Sequence, residues 1–70
     1  MRLVRILGAN VRRLRKAQGL SQEELAAQVG IDMRYLGGIE RGQENPSLDV
    51  MERIARMLNS KVIALLSDSE

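Results

Sequence analysis

Ser21-Gln22-Glu23-Glu24-Leu25-Ala26-Ala27-Gln28-Val29-Gly30-Ile31-Asp32-Met33-Arg34-Tyr35-Leu36-Gly37-Gly38-Ile39-Glu40-Arg41-Gly42 is the stretch that decides the fold. Ser21 is a helix N-cap, because its hydroxyl can accept from a free backbone N–H of the first turn. Glu24, three residues on, completes a capping box, and Leu20 and Leu25 flank it as a hydrophobic staple. Leu25, Ala26 and Val29 then recur at helical spacing. Gly30 ends this helix, since glycine reaches the left-handed conformation cheaply. Asp32 caps a second helix, with Ile31 and Leu36 as its staple; Leu36 and Ile39 face inward and Gly42 ends it.

Helix, glycine turn, helix is the pattern of a helix-turn-helix, and on periodicity and caps alone it fits a plain helical hairpin in a bundle equally well. The fuller set of residues separates the two. Ser21-Gln22-Glu23-Glu24-Leu25-Ala26, Gly30, Tyr35-Leu36-Gly37-Gly38-Ile39-Glu40-Arg41-Gly42 and Asn45-Pro46-Ser47-Leu48 together resemble the Cro/C1-type (XRE) helix-turn-helix family. The small controller proteins of restriction–modification systems are the most similar in style. The resemblance runs from about residue 7 to residue 66. It implies an all-α, compact five-helix, lambda-repressor-like DNA-binding domain, with the helix-turn-helix at about residues 21–41. It also implies a structural salt bridge between Arg15 of the first helix and Glu40 at the end of the recognition helix. Such a pair fixes an interhelical angle more surely than it adds stability. The sequence departs from the family at Gly37, where members often carry a serine able to touch DNA.

In a helix-turn-helix the N-terminal end of the second helix enters the major groove and the first helix crosses the backbone. Candidate base contacts are therefore Asp32, Met33, Arg34 and Tyr35. Arg34 leads, because a guanidinium can donate twice to guanine O6 and N7. Met33 offers only apolar contact, for instance to a thymine methyl, or is a surface residue without a role. Asp32 fits a cap better than a reader of cytosine. Gly37 and Gly38 each cost a helix about 1 kcal/mol against alanine. Close approach of the backbone to DNA or to a neighbouring helix would offset this, as would tolerance within a well-packed helix; on the first explanation Gly38 joins the base-facing group. Candidate phosphate contacts are Gln22 at the first helix's N-terminus, and Arg41, Gln43 and Asn45 on the far side. Arg12 and Arg13 are weaker candidates.

Around this motif, Leu7, Val11 and Leu14 mark an amphipathic helix over about 3–18, ended by Gly19. Pro46 excludes its neighbour Asn45 from helical geometry. Ser47 caps a fourth helix whose inner face is Leu48, Met51, Ile54, Ala55 and Leu58, with Asp49 and Glu52 near its positive end. Asn59 stops it, and Val62, Ile63, Leu65 and Leu66 form a short fifth helix.

Seventy residues make one small domain over 1–70, near the lower size limit for an independent core. The net charge of +2 hides an asymmetry. Residues 1–19 carry Arg2, Arg5, Arg12, Arg13, Arg15 and Lys16 and no acid, whereas the tail 67–70 is acidic. A basic segment is either a solvated helix face or an electrostatic footprint for nucleic acid; the adjacent helix-turn-helix favours the latter. The chain has no Cys and no His, which excludes Ser-His-Asp and Cys-His catalysis and leaves no His/Cys zinc cluster. There is no phosphate-cradling glycine loop of the Gly-x-x-x-x-Gly-Lys type. We therefore expect no enzyme, no cofactor and no metal. No apolar run suits a membrane span or a signal peptide, which predicts a cytoplasmic protein.

The expected partner is double-stranded DNA, read as a palindromic operator by a homodimer acting as a transcriptional repressor or self-regulating controller. No separate oligomerisation domain is evident, so the dimer surface is expected on the last two helices, at Met57, Ile63 and Leu66, with Leu3 and Val4 as second choice. The competing reading is a protein-interaction module or antitoxin of the same fold, acting through a protein partner.

Overall fold

The computed structural model describes residues 1–68. Five helices follow in order: α1 (Arg2–Ala17), α2 (Gln22–Val29), α3 (Met33–Glu40), α4 (Leu48–Met57) and α5 (Val62–Leu65), with no strand among the described residues. Of the acidic tail, Asp68 meets Arg2 at 2.7 Å, and Ser69 and Glu70 lie outside the described residues.

The local signals for α2, α3 and α4 take physical form as caps. Ser21 Oγ accepts from the Glu24 N–H at 3.0 Å, and the Glu24 carboxylate accepts from the Ser21 N–H at 2.8 Å. Asp32 accepts from the Arg34 N–H at 2.7 Å, and Ser47 from the Val50 N–H at 3.1 Å. Each satisfies a donor that the helix itself cannot pair. At the turn between α2 and α3, Gly30 stands at φ +84° and returns its N–H to the Ala26 carbonyl at 2.8 Å.

One apolar cluster joins all five helices: Leu7 and Val11 of α1, Leu25, Ala26 and Val29 of α2, Leu36 and Ile39 of α3, Met51, Ile54 and Ala55 of α4 with Leu58 just after it, and Leu65 of α5. Burying each of the larger side chains stabilises the fold by about 1.5–3 kcal/mol before ordering costs. Helix α1 lies on α3, α2 on both α3 and α4, and α5 bridges α1 and α4.

Leu48 departs from the reading of its sequence. It shares the helical register of Met51 and Leu58 but is the first residue of α4, at the rim of the core, and remains 70% exposed. The inner-face assignment made from periodicity therefore fails at this residue, because at the start of the helix the core does not extend over it. Ile63, on α5, is likewise 74% exposed.

Three side chains hold helix ends across long sequence separations. Asn10, buried within α1, donates through Nδ2 to the carbonyls of Leu65 (2.8 Å) and Ser67 (2.9 Å). Gln18 donates to the Leu58 carbonyl at 2.8 Å, and Arg53 to the Val29 carbonyl at 3.0 Å. They occupy carbonyls left open where α5, α4 and α2 end.

Candidate nucleic-acid interface

The orientation of α3 is set from behind. A Cβ at Gly8 would fall on the carbonyl oxygens of Ile39 and Glu40, so α1 and α3 approach to backbone contact. Beside this contact Arg15 meets Glu40 in a two-pronged pair, Nε to Oε2 at 2.7 Å and Nη2 to Oε1 at 3.0 Å. Their side chains are 9% and 2% exposed. Arg15 Nη1 also donates to the Leu20 carbonyl at 2.8 Å. Hydrogen bonding to Glu40 raises the Arg15 pKa above its ordinary value, with burial opposing it and Coulomb attraction adding to it. A raised folded pKa contributes stability below the unfolded value and loses it only as pH climbs past the folded one. This arginine therefore adds no pH dependence near neutrality.

The pair continues into α2. Gln22 donates through Nε2 to Glu40 Oε1 at 3.0 Å. One amide hydrogen of Gln22 is thus spent inside the protein, and the other has no partner among the described residues. Arg15, Glu40 and Gln22 form a continuous polar seam joining α1, α3 and α2.

On the outer side of α3, Arg34 is open to solvent, its side chain 93% exposed and its Nε 3.9 Å from Asp32 Oδ1. Met33 is 46% exposed. Asp32 is engaged as the cap of α3. Tyr35, expected with the base contacts, is half-buried and packs against the core. Gly38 also differs from the expectation. It is buried, and an added Cβ would lie 2.6 Å from Glu44 Cγ, so the Glu44 side chain covers it. Gly37 is covered differently: Arg41 Nη1 lies 3.1 Å and the Gln22 amide 3.7 Å from where its Cβ would be.

Arg41 thus folds back over α3, and its Nε donates to Gln43 Oε1 at 3.1 Å. Gln22, Gly37, Arg41 and Gln43 are brought to one surface. Asn45 is exposed and lines an apolar groove with Met1, Leu3, Val4, Leu48 and Leu66, which includes none of that cluster. Of the three apolar residues assigned to a subunit contact, Ile63 and Met57 (38%) are exposed, while Leu66 is half-buried against the core. Sequence reading passed over Gly8, whose signal was a lone glycine in the middle of α1, and Glu44, which carried none. No group of His, Cys, Asp and Glu among the described residues has the arrangement of a metal site. No helix there is long and apolar enough to cross a membrane.

A capped helix pair across a glycine turn, its second member braced from behind and open in front, defines a helix-turn-helix domain. Residues 11–65 match the family described as helix-turn-helix. The control protein C.SmaI of Serratia marcescens is 39% identical over 67 residues, 96% of this chain and 80% of that one. The restriction-modification controller protein C.AhdI of Aeromonas hydrophila superimposes with a TM-score of 0.84 at 44% identity, covering 89% of this chain and 94% of that one. The biofilm master regulator SinR, solved in complex with DNA, superimposes with a TM-score of 0.82 at 35% identity, covering 87% and 98%. The chain belongs to the Cro/C1-type helix-turn-helix family of DNA-binding transcriptional regulators.

Proposed function

We propose that this chain, as a single domain, is a sequence-specific transcriptional regulator that binds a palindromic double-stranded DNA operator as a homodimer, with α3 in the major groove. The observation that carries the reading is the contrast across α3: Leu36 and Ile39 are fully buried on one face, while Arg34 stands open to solvent on the other. A helix braced this firmly with a solvent-exposed guanidinium in its first turn, held only by a 3.9 Å contact to Asp32, is built to present that group to something outside. SinR's complex with DNA supports the choice of ligand. Arg34 donates to guanine, Met33 makes apolar contact, and Asp32 keeps Arg34's turn in shape. Gln22's free amide hydrogen and the guanidinium of Arg41, steadied by Gln43, take backbone phosphates, with Asn45 further out.

Two copies would meet through the α4–α5 surface around Met57 and Ile63, with Leu66 beneath, in an isologous contact. The half-sites would then lie about one helical turn apart. The family is one of regulators and not of enzymes, and a cytoplasmic location follows from this reading.

The test is a selection from random duplex DNA by the purified chain. A two-fold symmetric sequence with half-sites one turn apart is the expected result. Single half-sites would remove the dimer from the account. Binding without any enrichment, vanishing as salt rises, would leave only electrostatic attraction. The exposed apolar residues Leu48 and Ile63 favour a second reading, in which a protein partner is required. Duplex binding seen only after a partner is added would establish it.

A further inference from the structure

Arg34, Gly37, Gly38 and Arg41 follow at three- and four-residue spacing, which sets them along one stripe of α3 opposite Leu36 and Ile39. The middle of that stripe has no side chains of its own. Both glycines are nevertheless buried, because other residues fill the space. At Gly38 the filler is Glu44. Its Cγ lies 2.6 Å and its Oε2 3.3 Å from the position of an added Cβ. The loop is drawn over the helix by the Gln43 N–H, which donates to the Gly38 carbonyl at 2.8 Å. Among the described residues Glu44 has no ion-pair partner. A carboxylate is therefore laid on the stripe that begins at Arg34, with its acceptors free.

We propose that Glu44 stands in for the missing side chain at Gly38 and is a specificity-determining residue, selecting cytosine at a middle position of each half-site. The inference rests on the reading of α3 as the helix in the major groove. A carboxylate only accepts hydrogen bonds, and phosphates repel it. Guanine and thymine show it acceptors or a methyl group along the major groove. Exocyclic amino groups alone answer it, on cytosine N4 and adenine N6, and the adenine amino group stands beside the N7 acceptor, which a carboxylate disfavours. Glu44 thus rewards cytosine and penalises guanine and thymine, turning a charge that weakens general DNA attraction into discrimination.

The experiment is selection from random duplexes by the intact chain and by Glu44→Ala, Glu44→Gln, Gly38→Ala and Arg34→Ala, with affinities measured on the winning sites. The wild type is expected to prefer cytosine at one mid-half-site position by roughly tenfold over guanine or thymine. Glu44→Ala should flatten that position alone. Glu44→Gln should move it toward adenine, which an amide can meet as both donor and acceptor. Gly38→Ala keeps the carboxylate but pushes it aside, and should flatten the same position. Should Glu44→Ala tighten binding to every sequence by one factor and leave the profile unaltered, the carboxylate is bulk charge and the proposal is overturned. If the wild type selects nothing and Arg34→Ala changes nothing, the reading of α3 itself has failed, a result distinct from the loss of Glu44's role alone.

Discussion

The α1–α3 seam and the α4–α5 end are held by different kinds of contact. At the seam, backbone meets backbone over Gly8, and a buried ion pair extends through Gln22 into α2. At the other end the packing is apolar, through Met51, Ile54, Leu58 and Leu65, with Asn10 and Gln18 tying down the carbonyls where α5 and α4 end. The outer surfaces differ in the same sense: Arg34 and Arg41 on one side, Leu48 and Ile63 on the other. Charged and hydrogen-bonded groups are directional, so they fix the angle at which α3 is presented. Apolar packing is less directional, and its surplus surface suits contact with another protein.

Substitutions at either end should separate the two kinds of contact. The largest loss is expected from Glu40→Ala, which strands Arg15 as a buried, uncompensated charge and should cost about 3–5 kcal/mol in urea denaturation. The volume-matched pair Arg15→Met with Glu40→Leu should be near neutral in stability. If that double variant also keeps full DNA selectivity, the seam does not set the angle of α3. Gly8→Ala comes next, at about 1–3 kcal/mol, because the new methyl meets backbone carbonyls rather than yielding side chains; an unchanged melting midpoint would mean that the helices part freely. Ser47→Ala removes the cap of α4 and should cost about 1 kcal/mol by the same assay. The smallest effect on monomer stability, within about 0.5 kcal/mol, belongs to Ile63→Ser. That variant should shift the chain from dimer to monomer in sedimentation, and a dimer that survives would move the subunit contact elsewhere.

What could be read from the sequence was what is local. Ser21, Asp32 and Ser47 announce helix starts because a cap bonds within three residues of itself, and Gly30 and Asn59 announce ends because they tolerate positive φ. The Arg15–Glu40 pair came from family resemblance, since nothing in the spacing of two charges 25 residues apart requires them to meet. Asn10, Gln18 and Arg53 act on carbonyls 24 to 57 residues away, and a polar residue's distant partner has no periodic signature. Leu48 shows the converse, an apolar residue in helical register with the inner face that the core does not cover. In the candidate interface, the exposure of Arg34 was legible from its place in the first turn of α3. Glu44 over Gly38 was not, because a loop folding back on a helix leaves no mark on composition.

If the open face of α3 reads bases through Arg34, the affinity of the wild type and of Arg34→Ala for the best selected duplex and for a scrambled one, at one salt concentration, will show it. Arg34→Ala should lower preference for the selected duplex by about 1–3 kcal/mol while weak binding to the scrambled one persists. An equal loss on both duplexes would make Arg34 a phosphate contact and contradict base reading through it.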